Sequence, residues 1–176
     1  MRRFLSALFF CTCTMLLHKS AEADDNPWFS GLDSVALNSQ PIKSAKWRGR
    51  PALLQFWASW CQSCSGLMQE LEAVQEKYPP LLYLAISIDN SLEEAKKAEL
   101  RPSRIPHIYD LRKNWAQKFD VRSVPTIIVV DAKGMLRFRH EGHLDAVTAL
   151  KLNQVLAALI AEVPKGLENV PASNQI

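Results

Sequence analysis

The apolar residues of this chain recur with periods that predict both buried strands and amphipathic helices. Residues 52–57 and 81–88 are two largely apolar runs of strand length. Between them, Leu67 and Leu71 recur at helical spacing, which predicts a helix over residues 61–78. A buried strand, a helix and a second buried strand in this order are typical of an α/β domain.

The rest of the chain predicts further helices, a small hairpin near residues 35–43 and a larger one later. Ser91 is a favourable N-cap for a helix over residues 91–100, whose acidic residues precede its basic ones. The other predicted elements are a strand or turn over 107–111, a helix over 112–119, a hairpin of strands 126–130 and 135–140, and a helix over 145–161. The closing helix carries an apolar stripe that we expect to pack in the core: Val147, Leu150, Leu152, Val155, Leu156 and Leu159.

The N-terminus has the pattern of a secretory signal peptide. Arg2 and Arg3 precede a mainly apolar stretch over residues 4–17, and small residues flank Glu22 in the triplet that ends at Ala23. The stretch is short for a membrane span of about 20 residues, although an uncleaved anchor stays open as an alternative. We therefore predict a periplasmic protein with a signal peptide over 1–23, a domain over 24–162 and a flexible tail over 163–176.

The net charge and the cysteine content limit the classes of function that this chain can have. The net charge of +3 falls to +1 on cleavage, which removes three basic residues and one acidic residue, and this near-neutral balance argues against nucleic-acid binding. Cys11 and Cys13 leave with the signal, so Cys61 and Cys64 are the only cysteines of the mature chain. A bridge between them restricts the unfolded chain little, which favours redox turnover over a structural role.

Cys61 should lie where the strand over 52–57 gives way to the helix over 61–78. The free N–H groups and the dipole of a helix N-terminus favour a thiolate at that place. Such a thiolate can attack a disulfide, and a second thiol one helical turn later, Cys64, can then release it.

A second motif, Val124-Pro125-Thr126, opens the most strand-like run in the chain, and a proline in this context can be held cis. Together with FWASWCQSC at 56–64 and VDAKG at 130–134, it resembles the thioredoxin superfamily, and in particular the exported TlpA/ResA-type thiol–disulfide oxidoreductases. The resemblance covers about residues 27–161. It implies a thioredoxin-like mixed β-sheet flanked by helices, with an N-terminal β-hairpin extension and a helical insertion after the central strand.

The resemblance also implies a role for each site residue. Cys61 is expected to be the exposed, attacking thiol and Cys64 the buried, resolving thiol, with Trp60 at the rim. Pro125 is expected to lie against the disulfide and to leave the backbone of Val124 free to pair with an extended partner segment. No cofactor is implied. The implied partners are exported proteins with disulfides and a membrane electron donor of DsbD/CcdA type, with electrons flowing in the reducing direction.

Three positions depart from patterns common in the superfamily. Gln62-Ser63 separates the cysteines without a proline, Gln55 is neutral where many thioredoxins have a buried acid, and Leu67 stands where many cytochrome-maturation members have a glutamate. These departures leave the redox potential, the direction of electron flow and the client proteins open.

The strand over 135–140 should return the chain to the cysteine end of the sheet. We expect Gly142 there to flank the substrate groove, while His143 has three interpretations: part of the same loop, a group that tunes the Cys61 pKa, or a metal ligand. We expect no metal site, and we expect His107 to be a structural or rim residue and not a catalyst. The alternative at the level of function is a non-catalytic module that holds partner segments or binds copper or zinc through its thiols.

Overall fold

A computed structural model describes residues 34–38, 41–42, 47, 49–98 and 105–165. The predicted signal peptide and the tail beyond residue 165 lie outside these residues. Across the ranges described, no helix is both long enough and apolar enough to cross a membrane.

The strands of the described chain form one mixed sheet with the order β2-β1-β5-β4-β3-β6-β7. They are β1 (Ser34–Ala36), β2 (Pro41–Ile42), β3 (Ala52–Trp57), β4 (Leu82–Ser87), β5 (His107–Tyr109), β6 (Thr126–Val130) and β7 (Leu136–Glu141). Strand β3 pairs in parallel with β4 and antiparallel with β6. The antiparallel pair of β1 and β2 is the predicted N-terminal hairpin.

Helices cover both faces of this sheet: α1 (Gln62–Lys77), α2 (Leu92–Lys97), α3 (Asn114–Lys118) and α4 (Ala146–Ala161). Every residue of β3 and β4 is buried, as expected for strands that are covered on both sides. On one face Leu71 of α1 and Leu156 of α4 join the core, and on the other face Trp115 of α3 does so. The segment from α2 to α3 is the predicted helical insertion after the central strand β4.

Helix starts follow the capping residues of the sequence. The side chain of Ser91 accepts a hydrogen bond from the Glu94 N–H at 3.1 Å, which confirms the predicted N-cap. Asp145 caps α4 in the same way, through the Thr148 N–H at 2.7 Å. Cys61 is the N-cap residue of α1, so the helix begins directly after Cys61, as the sequence predicts.

The apolar stripe predicted for the last helix is wrong at two positions. Val147 and Leu150 are 63% and 60% exposed, whereas Leu152, Leu156 and Leu159 are buried. An α-helix turns by about 100° per residue, so Leu150 points about 160° and Val147 about 140° away from Leu152. Leu156 and Leu159, four and seven residues after Leu152, share its core-facing side.

Candidate active site

Cys61 and Cys64 form a disulfide at the N-terminus of α1, with their Cα atoms 5.4 Å apart. Cys64 is 2% exposed and packs in the core, whereas Cys61 is partly exposed. The first turn of α1 contains no acidic residue. The positive end of the helix dipole therefore acts on Cys61 without an opposing carboxylate in the first turn of this helix.

A buried aspartate fixes the turn that leads into Cys61. Both carboxylate oxygens of Asp89 accept the Ser59 N–H at 3.0 Å, and Oδ1 also accepts the Ser59 hydroxyl at 2.7 Å. The Ser87 hydroxyl donates to Oδ2 at 2.7 Å. Because hydrogen bonds to a charged group are the stronger ones, Asp89 holds the approach to the first cysteine firmly against the end of β4.

A neutral network lies beneath the second cysteine. The Gln55 amide nitrogen donates to the Cys64 carbonyl at 3.2 Å, and the Tyr83 hydroxyl donates to the Gln55 amide oxygen. Burial raises the pKa of Tyr83 well above its ordinary value, with a smaller contribution from Glu72, so the phenol keeps its proton. These two buried side chains therefore position the first turn of α1, and neither of them is a carboxylate that could accept a proton from Cys64.

The loop before β6 lies at the same end of the sheet as the cysteines, because Thr126 pairs with Phe56. The Val124–Pro125 peptide bond is cis. The Gly142 N–H donates to the Pro125 carbonyl at 2.8 Å, so the return of β7 brings Gly142 beside this proline. Gly142 has a φ of +90°, a conformation that favours glycine. Within the described part of the chain, the backbone of Val124 has no hydrogen-bond partner.

Trp60 and His143 are both exposed, and Trp60 leaves 65% of its surface accessible. The His143 carbonyl lies 2.8 Å from the Nε2 atom of His140. In residues 34–165, where described, no hydrogen bond joins the His143 side chain to either cysteine, so pKa tuning by His143 stays a prediction. No group of three His, Cys, Asp or Glu residues among the described residues could hold a metal ion.

His107 lies at the start of β5 and is partly buried, with both ring nitrogens shielded from solvent. Its ring meets the Trp57 ring edge-on with 5.8 Å between centroids, and neither ring nitrogen has a hydrogen-bond partner among the described residues. Burial lowers the pKa of His107 to about 4, so this residue is neutral at physiological pH. Its contacts are those of a structural residue, as expected.

A cavity of about 170 Å³ lies beside the disulfide. Both cysteines contribute to its wall together with Trp57, Met68 and Ala98. The polar side chains of Ser59, Gln62 and Ser65 also line it, so its wall is part polar and part apolar.

Comparison with known proteins identifies the family. The profile of the thioredoxin-like domain matches residues 39–159. The chain belongs to the thioredoxin-like family. The matched residues include Cys61, Cys64 and the Val124–Pro125 peptide bond.

Relatives of this thioredoxin-like chain include thiol–disulfide oxidoreductases. The chain is 29% identical over 128 residues to thioredoxin-like protein YneN of Bacillus subtilis, covering 69% of this chain and 72% of that protein. It is 30% identical over 106 residues to the thiol:disulfide interchange protein DsbE of Pseudomonas fluorescens, covering 60% of each. The chain thus spans less than two thirds of the DsbE relative.

A solved structure supports the fold. A secreted disulfide oxidoreductase of Mycobacterium tuberculosis, homologous to DsbE of Escherichia coli, superimposes with a TM-score of 0.59 at 21% identity. The superposition covers 77% of this chain and 99% of the other. This similarity confirms the thioredoxin-like architecture expected from the sequence.

Two residues that shape the thioredoxin-like site were missed from the sequence. Asp89 and Tyr83 contact the turn before Cys61 and the amide of Gln55, yet neither lies near the cysteines in the chain. A signal for Asp89 was present, since it follows the carboxyl end of a buried parallel strand, where site residues of α/β sheets gather. Tyr83 carried no such signal, because an aromatic residue inside an apolar run is typical of any core strand.

Proposed function

We propose that this protein is a periplasmic thiol–disulfide oxidoreductase that reduces disulfides in exported proteins through Cys61 and Cys64. The observation that carries the proposal is the disulfide at the N-terminus of α1, with a partly exposed first cysteine and a buried second one. This arrangement favours attack by Cys61 and protects Cys64 until a mixed disulfide forms. The proposed substrate groove comprises Trp60, Val124, Pro125 and Gly142.

The proposed reaction begins with the reduced protein, in which Cys61 and Cys64 are not joined by a disulfide. The Cys61 thiolate attacks one sulfur of the substrate disulfide, a mixed disulfide forms, and the other substrate sulfur leaves as a thiolate that takes a proton from water. Cys64 then loses its proton and attacks the Cys61 sulfur. The second substrate thiolate leaves and the Cys61–Cys64 disulfide closes, so two electrons have passed to the substrate.

Deprotonation of Cys64 depends on water or on the partner, because the side chain beneath it is the neutral amide of Gln55. The oxidised protein must then receive two electrons to act again. We propose that a membrane dithiol donor of DsbD/CcdA type supplies them by the same exchange chemistry, run from donor to Cys61.

The reduction potential of the Cys61–Cys64 pair tests the direction of electron flow. We expect a value near that of thioredoxin, ~−270 mV, whereas a value near ~−120 mV is typical of an oxidant such as DsbA. An insulin-reduction assay tests the roles of the cysteines. Cys61→Ser should abolish reaction, whereas Cys64→Ser should accumulate a mixed disulfide with the substrate.

The alternative function, a binding module without catalysis, predicts a different set of results. Wild-type protein would then show no exchange with insulin while binding copper or zinc tightly, and both serine variants would lose the metal. Export has its own test, because the protein recovered from the periplasm should begin at Asp24 if cleavage follows Ala23.

A further inference from the structure

The loop over residues 119–125 carries the proposed partner-binding edge, and among its described residues only Phe119, Asp120 and Val121, at its start, donate their N–H groups to backbone carbonyls. The Val121 N–H donates to the Ala116 carbonyl at 2.8 Å, and the Thr126 hydroxyl donates to the Ser123 carbonyl at 2.7 Å. Asp120 adopts a φ of +48°, a left-handed conformation that is uncommon for residues other than glycine. A loop of this kind needs support from neighbouring elements to keep one conformation.

Arg139 of β7 supplies that support at the start of the loop. Its Nη1 atom donates to the Phe119 carbonyl at 2.6 Å, and its Nη2 atom donates to the Asp120 carbonyl at 2.9 Å. These carbonyls lie at and just beyond the end of α3, where the helix leaves acceptors without helical partners. The guanidinium group therefore fixes the point at which the loop departs from the helix.

Glu141 extends the support to the middle of the loop. Its Oε1 accepts from Nη2 of Arg139 at 2.7 Å, and its Oε2 accepts the Ser123 hydroxyl at 2.9 Å. Both bonds favour the carboxylate and lower the pKa of Glu141, with Arg139 as the larger cause. Gly142, directly after β7, contacts Pro125 at the end of the loop. Strand β7 and the residue that follows it therefore hold the loop at its start, middle and end.

We propose that Arg139 and Glu141 are positioning residues for partner binding, which hold the 119–125 loop so that the Val124 backbone faces an extended partner segment. This inference rests on the proposed function, because it assigns a purpose to the same groove. Neither side chain makes a described hydrogen bond to α1 or to the cysteines. Their effect should therefore fall on recognition of a protein substrate and leave the dithiol chemistry unchanged.

Arg137 offers a matched control on the same strand. It is 50% exposed and pairs with Asp131 at 2.6 Å, at the hairpin end of β7 and away from Pro125. Arg137→Met and Arg139→Met remove the same guanidinium group and keep a long apolar side chain. Arg139→Lys keeps the charge, but one ammonium group cannot reproduce the planar fork that reaches both carbonyls and Glu141.

The kinetic test compares a protein disulfide with a small aromatic disulfide, dithiobis(nitrobenzoate). In Arg139→Met we expect kcat/KM for insulin to fall roughly tenfold through KM, since small misplacements of a positioned group cost up to about a hundredfold. Arg139→Lys should recover part of the loss, and Glu141→Ala should show a smaller loss. The rate with the small disulfide and the reduction potential should match the wild type.

Hydrogen exchange supplies a readout that does not need activity. Amide protons of residues 119–124 should exchange faster in Arg139→Met than in Arg137→Met, while those of residues 61–68 stay as protected as in the wild type. Insulin kinetics and loop exchange equal to those of Arg137→Met would overturn the inference, as would an equal loss with the small disulfide. Absence of insulin reduction by the wild type would instead count against the proposed function, and the exchange data would still decide the role of Arg139.

Discussion

At the scale of single residues, protonation of His107 makes the free energy of unfolding depend on pH. The pKa of this histidine is about 4 in the folded chain, because burial disfavours the charged ring. In the unfolded chain the pKa returns to about 6.5. Below pH 6.5 the unfolded chain binds a proton that the folded chain does not bind until about pH 4, so acid favours unfolding across this window.

We therefore expect the contribution of His107 to the free energy of unfolding to be complete above pH 6.5 and lost as the pH falls towards 4. The total loss should be about 3 kcal/mol. Urea unfolding at pH 7 and pH 4.5 measures it, with His107→Leu as the variant and exposed His143→Ala as its control. An equally steep fall in His107→Leu would show that another group is responsible.

At the scale of elements, the sequence predicts the strands and helices whose pattern is formed by adjacent residues. The buried run of β3, the Ser91 cap of α2 and the start of α1 after Cys61 all depend on adjacent residues, and all were recovered. The contacts of Asp89 with Ser59 and of Arg139 with Phe119 join positions far apart in the chain, so no local pattern indicates them. The apolar side chain of Leu150 suggests burial, but its position around the helix places it on the side away from the core.

A second prediction concerns the link between β3 and β4 through Gln55 and Tyr83. Tyr83→Phe leaves the Gln55 amide oxygen without its buried donor, and Gln55→Leu leaves both the Tyr83 hydroxyl and the Cys64 carbonyl without this partner. Each change should lower the free energy of unfolding by about 1–3 kcal/mol. The double variant should lose less than the sum, with a coupling of about 0.5–3 kcal/mol.

Denaturant unfolding of the four proteins, all with the disulfide intact, measures this coupling. Leu54→Ala, in the same strand but in the core on the other face of the sheet, combined with Tyr83→Phe, tests whether any core change in β3 gives the same result. Additive losses for Gln55→Leu and Tyr83→Phe would mean that the two side chains contribute independently.

At the scale of the whole molecule, the reduction potential of the cysteine pair is linked to the folding equilibria of the oxidised and the reduced protein. A thiol–disulfide pair becomes strongly oxidising when the reduced fold is the more stable one, and reducing when the oxidised fold is. The bridge spans only Gln62 and Ser63, so it restricts the unfolded chain little. A difference in stability between the two redox forms therefore arises mainly in the folded state.

Because we propose a reductant, we expect the oxidised protein to unfold at a higher denaturant concentration than the reduced protein. Every 30 mV by which the folded pair is more reducing than the same pair in the unfolded chain corresponds to about 1.4 kcal/mol of that difference. The measurement is paired urea unfolding with and without dithiothreitol. The Cys61→Ser/Cys64→Ser variant should unfold identically under both conditions. A reduced form that is the more stable of the two would reverse the proposed direction and make this protein an oxidant of exported thiols.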